Sequence, residues 1–348
     1  MKKNVKRIWS LLLVFMMVLS LAACGGDKQK TDTTDKTSTD TEATTEDTTE
    51  NTTAEETTGW IPAKPIHIVN QSEAGSGTDL FVRTLQPWLQ QELGVAIVCD
   101  SAPGSGGKIA ATQLWNANPD GYALLAHSSP LTTVTEISKD CEYHIPDFEH
   151  IISFDVTPYA VGVKKGSDIE SIDDLIAATR TRKVSNANSG LGGAQYLQSM
   201  ILKDALGIEY DEVPYNGSAP CGLAVMNGDT TITVVAIDTL LNNSEEIEVL
   251  AVLADERYEA APDVPTIKEL GYDFPCLTMR RGIVAPPGTP PEVVDRLIKA
   301  FAVAVETPEF QEYAANTKVM LDIKLGDEYQ AINQEYYDTV MQYVDYLR

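Results

Sequence analysis

The fold is decided by the stretch Ile66-His67-Ile68-Val69-Asn70-Gln71-Ser72-Glu73-Ala74-Gly75-Ser76-Gly77-Thr78-Asp79. It begins with β-branched residues and ends with small, flexible ones. An amphipathic segment follows, with apolar residues at helical spacing: Leu80, Phe81, Leu85, Trp88 and Leu89. The pattern predicts a strand, a glycine loop and a helix. Such a loop directs backbone N–H groups and the positive end of a helix dipole above the strand, which suits a small anion.

The same order of strand, small-residue loop and helix recurs twice more. A second glycine loop spans Ala102 to Lys108, and a third spans Asn188 to Gly193. The helix after the third loop is predicted to run through Leu206 and to be ended by Gly207. Alternating strands and helices predict an α/β fold with a parallel, doubly wound sheet, in which ligands bind at the carboxyl ends of the strands. The three loops can share one site if two lobes face each other.

Other segments complete the predicted fold. Ser171 is predicted to cap a helix that ends near Arg180, and Ser218 to cap a helix that ends at Met226. From Glu292 onward the chain has a helical pattern. The other predicted strands are Val95 to Val98, Tyr122 to Ala126, Tyr159 to Val163, Lys183 to Asn186, Thr231 to Ile237, Val249 to Leu253 and Gly282 to Ala285.

The N-terminal residues have the pattern of an export signal. Residues 1–23 combine early basic residues with an apolar run that is too short to span a bilayer comfortably. The run ends in Leu21-Ala22-Ala23-Cys24-Gly25, which resembles the lipobox of bacterial lipoproteins, in which the cysteine is acylated. An ordinary secretory signal cleaved after Ala23 is the alternative.

Residues 24–59 are almost entirely polar, which predicts a disordered, lipid-anchored linker with reach from the membrane, or simply a solubilising tail.

Composition excludes several classes of function. The formal net charge is −25 at pH 7, so nucleic-acid binding is not expected. Any anion must therefore be held by local dipoles and donors rather than by the overall field. Four cysteines follow the linker, without the paired spacing of a metal site: Cys99, Cys141, Cys221 and Cys276. Export permits disulfides between them, and free thiols are equally compatible with the sequence.

The glycine loops do not match nucleotide-binding or catalytic motifs. In the first loop, Leu80 occupies the last glycine position of a dinucleotide fingerprint. In the second loop, Ala102 and Ile109 replace the glycine and the hydroxyl residue that a P-loop requires. His127, Ser128 and Ser129 are adjacent but lack a nucleophile elbow. We therefore predict neither an enzyme nor a bound cofactor or metal.

What remains is a set of backbone and hydroxyl donors near the predicted loops. Donors at helix N-termini suit a carboxylate, which accepts several charge-assisted hydrogen bonds. Each glycine loop taken alone is commonly just a tight turn, and it is the recurrence that indicates a site. The donors are Ser76, Gly77, Thr78, Ser128, Ser129, Ser189, Gly190, Gly192 and Tyr215.

These motifs, in this order, resemble a known family. The relevant stretches are Ala63-Lys64-Pro65-Ile66, Ala74-Gly75-Ser76-Gly77-Thr78-Asp79 with Arg83, Pro103-Gly104-Ser105-Gly106-Gly107, Asn118-Pro119-Asp120-Gly121-Tyr122, Val213-Pro214-Tyr215-Asn216-Gly217, Ala261-Pro262-Asp263-Val264-Pro265-Thr266, and Arg281-Gly282 before Ala285-Pro286-Pro287-Gly288-Thr289-Pro290. They resemble the substrate-binding proteins of tripartite tricarboxylate transporters, the Bug/TctC family. The resemblance covers essentially residues 60–345.

The resemblance implies a two-lobed periplasmic-binding-protein fold of the second type. Lobe 1 would comprise residues 60–160 with the returning segment 283–348, and lobe 2 residues 161–282, with hinge crossovers near 160 and 282. It implies a receptor, outside the cytoplasm and tethered through Cys24, that binds a small carboxylate as a monomer and delivers it to a membrane permease of two subunits. The first and third loops would hold the ligand from opposite lobes, with Asp79 acting through ordered water. The complete candidate set adds Ser72, Glu73, Ala74, Asp79, Gly193 and Asp238 to the donors above.

The sequence departs from the family in the first loop. Gln71-Ser72-Glu73 stands where the family usually has proline, an aromatic residue and alanine. If Glu73 faces the cleft, a ligand with an amino group is favoured over a simple dicarboxylate; if it faces solvent, nothing changes. Arg281 either supplies a counter-charge near the hinge or pairs with a surface acid.

A sensory binding protein and an α/β enzyme are the alternative functions, and the enzyme would need a base paired with a nucleophile across the cleft.

Overall fold

The computed structural model describes residues 59–317 and 319–347. The predicted signal, Cys24 and nearly all of the linker therefore lie outside the described residues. The described part contains an eleven-stranded sheet flanked by helices, so the predicted α/β class is confirmed. The sheet is mixed rather than wholly parallel, because the strands that connect its two halves pair antiparallel with their neighbours.

The strands are β1 (Ile66–Asn70), β2 (Ile97–Ser101), β3 (Ala123–Ser129), β4 (Glu149–Asp155), β5 (Thr157–Lys164), β6 (Ser185–Asn188), β7 (Asp211–Pro214), β8 (Ile232–Ala236), β9 (Ile247–Leu253), β10 (Thr278–Ala285) and β11 (Leu321–Leu325). The α-helices are α1 (Gly77–Leu93), α2 (Lys108–Trp115), α3 (Leu131–Ser138), α4 (Ile172–Thr181), α5 (Ala194–Leu206), α6 (Ser218–Asn227), α7 (Ile237–Leu241), α8 (Pro291–Val305), α9 (Pro308–Thr317) and α10 (Gly326–Gln342). Short 3₁₀ turns occupy Ser105–Gly107, Ile145–Asp147 and Val344–Leu347.

The sheet has two halves, each with a parallel unit of three strands. In the first half, β1 lies between β2 and β3, and all three are parallel. In the second half, β6 lies between β7 and β8 in the same way. Because each parallel unit is built from strand, loop and helix, the loops after β1 and β6 occupy equivalent places at the carboxyl ends of their strands.

The halves are joined by two adjacent crossover segments. One is the passage from β4 into β5, which is interrupted only at Val156. The other is β10, which runs antiparallel to both β4 and β5. Residues Thr278 and Met279 pair with Pro158 and Thr157, while the rest of β10 pairs with strands of the first half. These side-by-side segments are the covalent connections between the halves.

Each half has its own apolar core. In the first half, Phe81, Phe154 and Phe310 form an aromatic cluster with ring centroids 5.5 to 6.3 Å apart. In the second half, residues such as Leu197 and Val234 form a separate core, onto which the C-terminal helix α10 also packs through Val340. Burial of these side chains is the main stabilising contribution to each half.

Several local predictions are confirmed, and others are wrong. Ser171 caps α4 by accepting a hydrogen bond from the amide of Asp174 at 3.1 Å, and Gly207 ends α5 in the left-handed conformation. Ser218 is the first residue of α6 and not its cap, because Gly217 takes the cap position. The helical pattern predicted from Glu292 onward is interrupted by β11, which pairs with β4.

Candidate ligand-binding site

The carboxyl ends of both parallel units lie at the crossovers. In the first half, Ser128 near the end of β3 pairs with Arg281 of β10. In the second half, Ala236 at the end of β8 pairs with Tyr159, two residues after the chain enters β5. Strands β1 and β6 are parallel neighbours of β3 and β8, so the first and third loops lie at the same ends of the two units, toward the crossovers.

The first loop is shaped by Asn70 at the end of β1. Its side-chain oxygen accepts a hydrogen bond from the amide of Ser72 at 3.1 Å, and its side-chain nitrogen donates to Ser76 Oγ at 3.2 Å. Ser76 is also the cap of α1, because its hydroxyl accepts from the amide of Asp79 at 3.4 Å. These bonds hold the loop so that the first amides of α1, beginning with Gly77, face the open end of the strand.

Asp79 is a buried carboxylate beneath this loop. Its Oδ2 atom accepts hydrogen bonds from the Gly75 amide at 2.8 Å and from Arg83 Nε at 2.7 Å. Burial raises the pKa of Asp79, but the bonds from Arg83 and Gly75 favour the carboxylate more strongly, so the pKa lies below its usual value. Within the described residues, Oδ1 has no hydrogen-bond partner. That oxygen can accept from a water or a ligand.

Arg281 lies beside the same loop. Its guanidinium donates to the fully buried carboxylate of Asp155 through Nε at 2.9 Å and through Nη2, and its backbone amide donates to the same group at 2.9 Å. The guanidinium carbon is 4.3 Å from the centre of the Phe81 ring. The expectation that Arg281 pairs with a surface acid is therefore wrong. Its partner is a buried carboxylate at the end of β4.

The third loop repeats the geometry of the first. Asn188, at the end of β6, accepts a hydrogen bond from the amide of Gly190 at 2.9 Å. Its side-chain nitrogen donates to Glu212 at 2.6 Å, and the backbone amide of Tyr215 donates to its carbonyl at 2.8 Å. Gly190 has a φ of 128° and Gly192 a φ of 71°. Residues with a Cβ rarely adopt these angles, so the loop depends on glycine at both positions.

Helix α5 begins directly after this loop. Its cap residue, Gly193, has no side chain to bond the first amides of the helix. Within the described residues, no side chain caps this end, in contrast to Ser76 at the start of α1. The first amides of α5 are therefore available to an anion, as expected at an uncapped helix N-terminus.

The serines at the end of β3 differ from this pattern. Ser129 is fully buried, and its hydroxyl donates to Asn333 of α10. Ser128 is mostly buried and its carbonyl accepts from Thr132 at 3.0 Å. His127 contacts Tyr329 and Thr132 instead of either serine hydroxyl. The hydroxyl of Ser129 is therefore used inside the protein and is not directed to the loops.

The remaining candidate residues lie around the same junction. Thr78 is buried in the first turn of α1, whereas Glu73 and Ala74 are exposed on the loop. Ser189 and Tyr215 are half-buried, and Asp238 is exposed in the first turn of α7. Burial, the charge of Asp238 and the charge of Asp155 together raise the pKa of the buried Tyr258 to about 12.

The candidate set missed three residues that shape the site. Asn70 and Asn188 hold the first and third loops, and their signal is an asparagine at the end of a predicted strand, directly before small residues. Arg281 was expected only as a counter-charge or a surface partner. Its place against Gly77 has no local signal, because the contact joins distant parts of the chain.

A metal cluster, a disulfide and a membrane-spanning helix are each absent from the part of the chain that the structure describes. It contains no cluster of three or more metal-ligating side chains, and its four cysteines are free. No helix within residues 59–317 and 319–347 is long and apolar enough to cross a membrane. The first amides of α1 and of α5 can each donate hydrogen bonds to an anion.

The chain is similar to known proteins in sequence and in fold. The sequence profile of the tripartite tricarboxylate transporter family receptor matches residues 81–343. A UPF0065 protein of Bordetella bronchiseptica is 31% identical over 250 residues, which cover 70% of this chain and 73% of that protein.

Solved structures share the fold. A TctC solute-binding protein from Polaromonas, without ligand, superposes with a TM-score of 0.74 at 22% identity, covering 82% of this chain and 98% of that one. MatC of Rhodopseudomonas palustris with bound malate gives 0.63 at 20% identity, covering 83% and 100%. An R. palustris protein with adipate gives 0.65 at 24% identity, covering 82% and 98%. The predicted periplasmic-binding-protein fold is thus confirmed.

Proposed function

Because the chain belongs to the tripartite tricarboxylate transporter receptor family, we propose that it captures a small organic acid between the two halves of its sheet and closes on it. Proteins of this family and the structural neighbours are solute-binding receptors rather than enzymes. We assign residues 60–160 with 283–348 to lobe 1 and residues 161–282 to lobe 2. The ligand class is a di- or tricarboxylate or a related acid.

One observation carries the proposal. Two loops of the same construction, each held by an asparagine at the end of a parallel strand, open toward the same crossovers. Each presents the N-terminus of a long helix, α1 or α5. A molecule with two carboxylates can accept hydrogen bonds from both helix ends at once, and contact with both lobes is what favours the closed state.

Two further elements belong to the proposal. We infer that Cys24 is acylated and that residues 24–59 tether the receptor to the outer face of the membrane. We also infer that a membrane permease of two subunits receives the ligand from a monomeric receptor. Family members are periplasmic binding proteins, which supports an extracytoplasmic location. Metabolic labelling with a fatty-acid analogue tests the anchor, since a Cys24→Ala variant should lose the label.

Calorimetry of the purified protein tests the binding function. Malate, adipate, citrate and glutamate form the panel, because neighbours of the same fold bind malate and adipate. We expect at least one acid to bind and to raise the melting temperature. Asn70→Ala and Asn188→Ala should each weaken this binding, whereas Asn242→Ala, at an exposed helix end, should not. Failure of every carboxylate to bind would contradict the proposal.

A further inference from the structure

Two consecutive arginines on β10 have opposite partners. Arg280 pairs with Asp322 of β11, and Arg281 pairs with Asp155 of β4. Successive side chains of a strand point to opposite faces of the sheet, so only one of the two can face the first loop. The contact with Gly77 identifies that residue as Arg281.

Two neighbours, Asp155 and Phe81, hold the guanidinium of Arg281. Nε and Nη2 donate to Asp155, which is fully buried, and the flat face of the group lies over Phe81. Only 13% of the Arg281 side chain is exposed. A long side chain fixed in this way has already lost most of its rotamer freedom, so a further contact costs little conformational entropy.

The third nitrogen of the Arg281 guanidinium, Nη1, differs from the other two. Within the described residues, Nη1 donates no hydrogen bond, and it is not among the fully buried atoms that lack a partner. A Cβ built on Gly77 would lie 2.5 Å from Nη1. The free N–H groups of Arg281 therefore lie against the first residue of α1, beside the helix amides that face the junction.

We propose that Arg281 is a ligand-contacting residue that donates from Nη1 to a carboxylate oxygen bound at the N-terminus of α1. The inference rests on the proposed function and specifies which side chain contacts the ligand carboxylate at the first loop. Asp79, whose Oδ1 atom has no hydrogen-bond partner within the described residues, lies in the first turn of the same helix. Asp79 is already paired with Arg83, and Arg281 adds a directed donor beside it.

The pairing with Asp155 determines how the contact works. The pair is neutral overall, so it offers a directed donor rather than a broad positive field. A ligand must then place a planar carboxylate against Gly77 to use it, which selects for acids over neutral analogues. The contact also requires glycine at position 77, because a side chain there would occupy the space of Arg281 Nη1.

Two variants test whether Arg281 contacts the ligand separately from whether it stabilises the fold. Arg281→Gln alone would leave a buried carboxylate without its partner, so the double variant Asp155→Asn/Arg281→Gln removes both charges together. Gly77→Ala keeps both charges but displaces the guanidinium. Arg280→Lys, on the opposite face of the same strand, is the matched control. Melting temperature is measured for each protein, and affinity for malate, adipate, citrate and glutamate is measured by calorimetry.

The expected result is a loss of affinity of about 10- to 100-fold in the double variant, the usual cost of a hydrogen bond to a charged group. Gly77→Ala should weaken binding in the same direction, and Arg280→Lys should leave the affinity within about twofold, below the scale of one such bond. Unchanged affinity in the double variant, or in Gly77→Ala alone, would overturn the placement of Arg281 while leaving the binding function standing. If the unaltered protein binds none of the four acids, both proposals are wrong.

Discussion

A Cβ on Gly77 would lie 2.5 Å from Nη1 of Arg281, so the first loop is in direct contact with the returning crossover strand β10. The relationship joins the proposed anion site to a crossover strand. Arg281 belongs to β10, and its partner Asp155 ends β4, directly before the other crossover. An anion bound at Gly77 would therefore lie beside one crossover segment and close to the end of β4.

The exposed Glu73 of the first loop should set the preference among ligands. Glu73→Ala removes a negative charge from a loop that also contains Asp79, so binding of a dicarboxylate should strengthen relative to glutamate, by about fivefold at low salt. The effect should shrink as salt is added, because exposed charges are screened. Glu246→Ala, before the outer end of β9, is the control, and calorimetry provides the measurement. Unchanged binding of every ligand would place Glu73 outside the pocket.

Asp79→Asn should destabilise the protein in a pH-dependent way. The carboxylate accepts bonds from Arg83 and Gly75, and loss of its charge should cost about 1.5–3 kcal/mol at neutral pH. The folded pKa of Asp79 lies below the unfolded value of about 3.9, so this stability is present above pH 4 and is lost as pH falls through the folded pKa. Urea unfolding from pH 7 to pH 3 measures it.

The gap between Asp79→Asn and the unaltered protein should therefore close in acid. Asp229→Asn is the control, because within the described residues its exposed carboxylate accepts no hydrogen bond. A gap of constant size down to pH 3 would show that the carboxylate charge of Asp79 does not stabilise the loop.

Gly282 should not accept a side chain. A Cβ there would lie 2.6 Å from the carbonyl oxygen of Ile152 and against the ring of the fully buried Tyr329. Gly282→Ala should lower the free energy of unfolding by about 1–3 kcal/mol, the usual cost of overpacking. Gly222→Ala within α6, where the nearest atom is 3.7 Å away, should be neutral or slightly stabilising. Equal stability of the two variants, measured in urea, would contradict the packing.

Two buried histidines should make the protein less stable in mild acid. Burial lowers the pKa of His127 to about 3 and that of His150 to about 4, so both stay neutral in the folded protein. The unfolded chain takes up these protons below pH 6.5, so stability falls from there toward pH 4, by about 1.4 kcal/mol per pH unit for each histidine. His150→Leu should reduce the slope by one proton.

The control for that slope is His67→Gln, which changes a half-exposed histidine paired with Asp100. Unfolding in urea at pH 6.5, 5.5 and 4.5 gives the slope for each protein. An identical slope in His150→Leu and the unaltered protein would show that His150 is not kept neutral by burial.

Local features of this fold were predictable, and long-range ones were not. The cap at Ser171 and the helix end at Gly207 depend on bonds within a few residues, so their residue types were sufficient. Strand β4 is buried along almost its whole length and lacks the alternation that marks a half-exposed strand. Strand β11 has a local signal that the helical interpretation overlooked, because Leu321–Leu325 alternates between apolar and polar residues. Its pairing with β4 joins distant parts of the chain and required the fold.

The candidate site shows the same division. The glycine loops were recognisable from residue type, and the pairing of Asp79 with Arg83 follows from their spacing of four on one helix. The contact of Arg281 with Gly77 depends on how β10 returns to the first half, so it required the folded chain. The hydroxyl of Ser129 was a reasonable donor by position, but packing of α10 directs it to Asn333.

A crystal structure of the protein with a bound acid from the panel tests the central claim most directly. We expect the acid to lie between the first and third loops, with one carboxylate at the amides of Gly77 and at Nη1 of Arg281. The other end should lie at the amides that begin α5, after Gly193. An acid bound elsewhere, such as in the cavity lined by Glu149 and Gly288 or in the one lined by Asp255 and Arg280, would contradict the account.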